Sequence, residues 1–171
     1  MAERLSVRLW GLPRAAANLK SVETPVEPAL QYDANVDDLD PRVWPHVIDR
    51  LLAAGAHDAW VTPIIMKKGR PAFTLSAMCS NTDAEAVRRV IFLETSTIGL
   101  RETTLQKFVL PRIERDVTVS SATIGVKTAF LDGQPANRSV EWNDVVAAAN
   151  VLGLSAKEVL AAATAAAIDQ T

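Results

Sequence analysis

Ala59-Trp60-Val61-Thr62-Pro63-Ile64-Ile65-Met66-Lys67-Lys68-Gly69-Arg70-Pro71-Ala72-Phe73-Thr74-Leu75-Ser76-Ala77-Met78 places a short basic break between two apolar runs. Strand, tight turn, strand is the simplest reading of the pattern. The break, Met66-Lys67-Lys68-Gly69-Arg70-Pro71, sets three cations around one glycine. A glycine lets backbone amides come close to an anion, a lysine supplies a point charge, and an arginine supplies a rigid fork of donors. The turn is therefore a candidate polyphosphate cradle. An ordinary solvated hairpin tip has the same composition, and six residues do not separate the two.

Outward from this hairpin the pattern alternates. Ala29 to Val36 reads as a strand and runs into Asp37-Asp38-Leu39-Asp40-Pro41. Asp40 can cap a helix whose first position is Pro41. Val43, Trp44, Val47, Ile48, Leu51 and Leu52 then share one helical face, and Gly55 ends the helix. The second strand is expected over about 59–66, with Pro63 marking an edge strand or a bulge. The third is expected over about 72–79. Thr82-Asp83-Ala84-Glu85 fits a capping box, and Val87, Val90 and Ile91 carry a helical stripe to Glu94. A fourth strand is expected over about 98–110. The order β-α-β-β-α-β is the ferredoxin-like split βαβ, an α+β fold with an antiparallel sheet in spatial order four-one-three-two. Strand two is then an edge, where Pro63 is tolerated.

Two further strands, about 116–121 and 123–131, predict a β-hairpin, a pair closed by Asp132-Gly133. Helices are expected from Val140 to Leu152, stopped by Gly153, and from the capping box Ser155-Ala156-Lys157-Glu158 to about Ile168. The last helix is rich in alanine, suited to close packing on this sheet or on a neighbouring subunit. Leu5 to Trp10 alternates like a short strand, and residues 1–28 as a whole read as an arm or linker ahead of one domain over 29–171.

Composition narrows the function classes. A chain of 171 residues with 49% hydrophobic and 22% charged residues suits one globular domain, with or without appendages. A net charge of −2 argues against a non-specific nucleic-acid binder. Tyr32 and Phe73 fall on predicted central strands, where RNA-binding modules of similar fold place stacking aromatics, but charge and aromatic content speak against that reading. The lone Cys79 permits no internal disulfide and reads as a buried structural residue. His46 and His57 are the only histidines and read as structural or solvated. No apolar run approaches the roughly 18 residues of a membrane span, and the N-terminus lacks a signal-peptide core. A cytoplasmic protein with no membrane or nucleic-acid partner is expected.

The predicted topology brings three polar segments to one rim. Strand one ends there with Asn35, Asp37 and Asp38. The hairpin turn carries Lys67, Lys68, Gly69 and Arg70. The second helix delivers Glu94-Thr95-Ser96-Thr97-Ile98-Gly99-Leu100-Arg101. Adjacent strands lie about 4.8 Å apart, so the segments are within reach of one ligand. Lysines with Arg70 and Arg101 can neutralise phosphate oxygens, Ser96 and Thr97 can donate to them, and Gly99 permits close backbone approach. Asp37, Asp38 and Glu94 offer hard oxygen ligands for Mg²⁺ or Mn²⁺. A divalent ion with a triphosphate suits such a rim; a set of surface salt bridges uses the same residues.

Asp33-Ala34-Asn35-Val36-Asp37-Asp38-Leu39-Asp40-Pro41, Leu51-Leu52-Ala53-Ala54-Gly55-Ala56, Met66-Lys67-Lys68-Gly69-Arg70-Pro71 and Glu94-Thr95-Ser96-Thr97-Ile98-Gly99-Leu100-Arg101 together resemble the C-terminal domain of the nickel insertion proteins of the LarC family. Leu131-Asp132-Gly133 and Glu141-Trp142-Asn143-Asp144 extend the resemblance, which covers about Ala29 to the C-terminus. Two departures stand out: Asp33-Ala34-Asn35 where the family usually has Glu-Thr-Asn, and Val140-Glu141-Trp142 where it usually has Pro-Glu-Tyr.

The resemblance implies a part in making the nickel-pincer nucleotide cofactor of lactate racemase. Members act as CTP-dependent cyclometallases, lyases that insert nickel into a dithiolated pyridinium mononucleotide. By that likeness Lys67, Lys68, Gly69, Arg70, Ser96, Thr97, Gly99 and Arg101 would bind CTP, with Lys68 and Arg70 stabilising charge on the phosphates. Asp37, Asp38 and Glu94 would hold or orient Mn²⁺ or Mg²⁺. Nickel would be handled mainly by a histidine-rich N-terminal domain outside these residues, whether the chain is a split subunit or an excised domain. A homo-oligomer, trimer or hexamer, is implied as well. The alternative on the residues alone is a non-catalytic ferredoxin-like module that senses a nucleotide or small anion, or that oligomerises.

Overall fold

The computed structural model describes residues 25–169. The expected short strand from Leu5 to Trp10 lies outside the described residues. The elements run β1 (Val26–Val36), α1 (Trp44–Ala53), β2 (Ala56–Met66), β3 (Arg70–Cys79), α2 (Ala84–Glu94), β4 (Arg101–Phe108), β5 (Arg112–Val119), β6 (Ala122–Leu131), β7 (Gln134–Val140), α3 (Trp142–Leu152) and α4 (Ala156–Asp169).

The first four strands form one antiparallel sheet in the order β2-β3-β1-β4, the expected spatial order. Alternation along the central strands divides its faces. Leu30, Tyr32, Ala34 and Val36 of β1 pair with Cys79, Ala77, Leu75 and Phe73 of β3. That face receives α1 through Trp44, Val47 and Leu51 and α2 through Val87, Val90 and Ile91. Trp44 meets Phe73 edge-on, with ring centroids 5.7 Å apart, a geometry the ring quadrupoles favour. Cys79 is buried among these side chains, and burial pushes its thiol up from its ordinary pKa. Pro63 lies on β2, an edge strand, as its missing N–H requires.

Several element ends differ from the sequence reading, each for a local reason. β1 starts at Val26 rather than Ala29. Between Val26 and Ala29 it pairs only with β4, and Pro28 is tolerated where one side has no partner. Asp40 does cap, accepting from Arg42 N–H at 3.0 Å, but Pro41–Val43 forms a 3-10 turn before α1. The box expected at Thr82 and Glu85 sits two residues earlier. Ser80 Oγ accepts from Asp83 N–H at 3.3 Å and donates to Asp83 Oδ2 at 2.6 Å. β4 begins at Arg101, not Ile98, because residues 95–100 form a loop.

The second half corrects the expected hairpin. β5, β6 and β7 form a three-stranded antiparallel sheet. Gln134-Pro135-Ala136-Asn137-Arg138-Ser139 is poor in strand-forming residues, yet it adds as an edge strand, with a register shift between Ala129 and Phe130. The following helix therefore starts at Trp142, after Val140 has ended β7. The predicted box at Ser155 forms: Ser155 N–H and Oγ donate to Glu158 Oε2 at 3.0 and 2.6 Å, and Glu158 N–H returns to Ser155 Oγ at 3.3 Å. Alanine-rich α4 packs on this sheet through Val159, Ala163 and Ala167, beside Val117, Ile124 and Val145. The described residues thus contain two separate cores. Among the described residues no single helix is long and apolar enough to cross a membrane.

Tyr32 supplies a clean test of the first core. It is the only tyrosine, is fully buried, and has its phenol pushed up to about 12 by burial. Its neutral form is favoured by folding, so that contribution is complete below pH 10 and is lost as pH rises from 10 to 12. Phenolate absorbance is expected to titrate near pH 12, with a falling Tm across that window that Tyr32→Phe flattens. Titration near 10 in the folded protein would show that Tyr32 is wet.

Candidate functional site at the β1 and β2–β3 rim

The end of β1 is the knot that gathers the three predicted segments. Asn35 faces away from the helices, and its Oδ1 accepts from Thr74 Oγ1 of β3 and from Arg101 Nη2 of β4, both at 2.9 Å. Two residues further, Asp37 Oδ2 accepts from Arg70 Nη1 at 3.2 Å. Asp38 Oδ1 accepts from Ser96 Oγ of the loop after α2. Thus Asp37, Asp38, Arg70, Ser96 and Arg101 do meet on one rim, and Asn35 is the side chain that joins β3 and β4 there. Its signal was present: a polar side chain two residues before the strand's acidic end.

The turn itself is three residues, Lys67 to Gly69, between the paired Met66 and Arg70. Lys68 has φ 63° and Gly69 has φ 69°. A left-handed lysine costs about 1 kcal/mol relative to glycine, so Lys68 stands against the local backbone preference. Among the described residues, Lys67 and Lys68 are exposed and make no ion pair. A methyl added at Gly69 or Gly99 would meet nothing within 4 Å, so the space above both glycines is open.

Two predicted residues are turned elsewhere. Thr97 Oγ1 donates to Gly99 O at 2.7 Å, inside its own loop. Glu94, the last residue of α2, faces α1: its carboxylate takes His46 Nε2 at 3.2 Å and Arg50 Nε at 3.4 Å. His46 and Arg50 are four residues apart on α1 and so share a face. Asp37, Asp38 and Glu94 are not gathered to a point, and no group of three His, Cys, Asp or Glu among the described residues is arranged to hold a metal. Mg²⁺ and ions like it are commonly held by one or two carboxylates with the remaining ligands from phosphates and water. The donor set on this rim, two aspartates beside four cations, fits a cation carried in on a nucleotide.

Beside Asp37 lies a cleft of about 290 Å³ walled by Val36, Leu39, Pro41, Ile64, Pro71 and Phe73. It sets an apolar slot against the charged turn, the combination expected of a small-molecule site. The late motif has a different task. Asp144 Oδ2 accepts from Gly125 N–H at 2.9 Å, and Glu141 N–H donates to Gly125 O at 2.8 Å. Glu141 also pairs with Lys127. These bonds fasten the start of α3 to β6.

The chain spans about a third of the length of the curated relatives it matches. It is 54% identical over 136 residues to a pyridinium-3,5-bisthiocarboxylic acid mononucleotide nickel insertion protein of Nocardioides sp., covering 80% of this chain and 35% of that protein. It is 38% identical over 134 residues to a putative nickel insertion protein of Myxococcus xanthus, covering 78% of this chain and 34% of that one. Among solved structures it is similar to the C-terminal domain of a cyclometallase involved in the synthesis of the NPN cofactor of lactate racemase, in the apo form. The TM-score is 0.72 at 30% identity, covering 84% of this chain and 99% of that one. A protein of Methanopyrus kandleri shares the fold, with a TM-score of 0.58 at 22% identity, covering 87% of this chain and 93% of that one. With the family model described as nickel insertion protein matching residues 6–160, the chain belongs to the nickel insertion protein family.

Proposed function

We propose that the rim binds CTP with Mn²⁺ or Mg²⁺, and that this is the chain's share in inserting nickel into pyridinium-3,5-bisthiocarboxylic acid mononucleotide, the step named for its relatives. On this reading the first half is a ferredoxin-like platform for the nucleotide. The observation that carries it is Lys67 and Lys68, two cations with no ion pair among the described residues, on an open left-handed turn tied through Arg70 to Asp37 beside an apolar cleft. Lys67, Lys68, Arg70 and Arg101 would draw in the phosphates, and Lys68 and Arg70 would offset charge as it develops on them. Ser96 and the amides near Gly69 and Gly99 would fix phosphate orientation. Asp37 and Asp38 would hold the cation, whose bound form neutralises phosphate oxygens. Glu94 would act at a distance, by fixing α1 against α2. Nickel itself is substrate and would come from an N-terminal nickel-handling domain or subunit. The cytoplasm is the proposed site of action, with the chain in a homo-oligomer, trimer or hexamer.

The test is calorimetric titration of the chain with CTP, then ATP and GTP, in Mn²⁺ and again with chelator. Saturable binding that favours CTP and weakens on chelation is expected. A folded sample that takes up no nucleotide in Mn²⁺ would overturn the assignment.

A further inference from the structure

Two opposite charges stand side by side on the helix-free face of the first sheet and do not pair. Asp33 of β1 and Arg101 of β4 are direct partners in the antiparallel register, so both side chains leave the sheet on one face. Attraction is the ordinary outcome for such neighbours. Among the described residues, however, neither makes an ion pair. Each is held by neutral groups instead. Asp33 Oδ1 accepts from the hydroxyl of Ser76, its partner on β3, at 2.5 Å. Gln31 Nε2 donates to Asp33 Oδ1 and Oδ2 at 3.2 and 3.1 Å. Arg101 reaches diagonally to Asn35, two residues along β1, and donates to its Oδ1 at 2.9 Å. Thr74, the β3 partner of Asn35, donates to the same oxygen at 2.9 Å.

The diagonal has a consequence for the rim. Asn35 lies on the rim side of Asp33, so its bond draws Arg101 toward the rim, where the space above Gly99 is open. A guanidinium only donates, so the amide oxygen of Asn35 must be the atom turned to it. An amide oxygen carries no net charge and holds the guanidinium without cancelling its charge. Arg70 differs, because it is already paired with the carboxylate of Asp37. An arriving anion would compete with Asp37 for Arg70, and with a neutral group alone for Arg101.

We propose that Asn35 is a positioning residue for the rim: a neutral anchor that keeps Arg101 out of an ion pair with Asp33 and leaves its charge whole for an anion. The inference rests on the proposed function, in which Arg101 draws in phosphates, and deepens it by naming what aims and preserves that charge. Without the anchor, Arg101 would turn to Asp33 one strand away, because an ionised carboxylate is the stronger acceptor. With a carboxylate in place of the amide, Arg101 would stay at the rim with its charge offset.

The experiment has a binding arm and a ligand-free arm, both on the 171-residue chain. In the first, CTP with Mn²⁺ is titrated by calorimetry. Asn35→Ala and Asn35→Asp are each expected to weaken binding about tenfold, the loss of one charged donor on a phosphate. Adding Asp33→Asn to Asn35→Ala should recover about threefold or more in affinity, and Asp33→Asn alone should change the parent less. Thermal midpoints report that each variant is folded. In the second arm, the Arg101 Nε–H resonance is followed without ligand and assigned by its loss in Arg101→Lys. It should shift in Asn35→Ala and return toward its parent position when Asp33→Asn is added. Parent-like affinity in Asn35→Asp overturns the proposal, and so does an equal gain from Asp33→Asn with and without Asn35. A parent chain that takes up no nucleotide overturns the rim reading by itself, and the resonance still decides whether Asn35 anchors Arg101. Nucleotide binding with a resonance unmoved by Asn35→Ala overturns the anchor alone.

Discussion

Lys68→Gly is expected to weaken CTP binding by tenfold or more while leaving the fold as stable as before, or slightly more so. The expectation comes from setting two terms against each other. Lys68 sits at φ 63°, where a side chain costs about 1 kcal/mol and glycine costs nothing sterically. Among the described residues its amine has no ion-pair partner to lose. Removing the side chain therefore costs folding nothing that the structure shows. Binding is different, because a charged donor on a phosphate oxygen contributes about 1.5–3 kcal/mol, or roughly tenfold to a hundredfold. Lys68→Ala is the poorer variant, since it removes the charge and keeps the left-handed strain. Paired measurements of CTP affinity and thermal midpoint decide the matter. Loss of stability with unchanged affinity would make Lys68 a structural turn residue and sink its assignment to the phosphates. Arg70→Ala gives a mixed result by contrast, because it also breaks the contact with Asp37.

Much of this rim was legible in the sequence because topology did the gathering. Once four strands and two helices are ordered, the end of β1, the β2–β3 turn and the loop after α2 must share one edge. What the pattern could not give was which way each side chain turns there. Glu94 and Ser96 are two residues apart, yet Glu94 faces α1 and Ser96 reaches Asp38. A helix ends between them, and the angle of its last turn settles the difference. The sequence makes Thr97 a candidate phosphate donor; in the structure its hydroxyl closes a local turn on Gly99, the common competing use of a threonine near a chain reversal.

The second half was less legible for a related reason. β7 has proline, alanine and asparagine where strands prefer branched and aromatic residues, and only pairing with β6 makes it a strand. Glu141 and Asp144 could be seen as a motif, but the motif answers to packing. Gly125 has Asp144 Oδ2 and Glu141 Cγ each 3.2 Å from where a Cβ would stand, so the carboxylates close on a strand that is bare at that point. A family pattern of acidic residues can mark such a clamp as readily as a ligand site.

Gly55→Ala is the substitution expected to destabilise the protein most for its size, by about 2–5 kcal/mol. Gly55 joins α1 to β2 with φ +99°, outside the small left-handed region that side chains tolerate. The added methyl would also lie 2.7 Å from Asp83 Cγ and 3.0 Å from Asp83 Cβ. Asp83 cannot simply swing aside, because Ser80 holds it by both its carboxylate and its backbone N–H at the start of α2. Strain of about 1–2 kcal/mol and overpacking of about 1–3 kcal/mol then add, against a typical total stability of about 5–15 kcal/mol. Two comparisons separate the terms. Gly69→Ala carries a similar backbone penalty at φ +69° but meets nothing within 4 Å, so it should cost only about 1 kcal/mol. Asp83→Gly introduced beside Gly55→Ala should recover the overpacking share and leave the backbone share. Denaturant unfolding followed by circular dichroism measures all three. A Gly55→Ala protein within about 0.5 kcal/mol of the parent would mean that the α1–β2 joint relaxes freely.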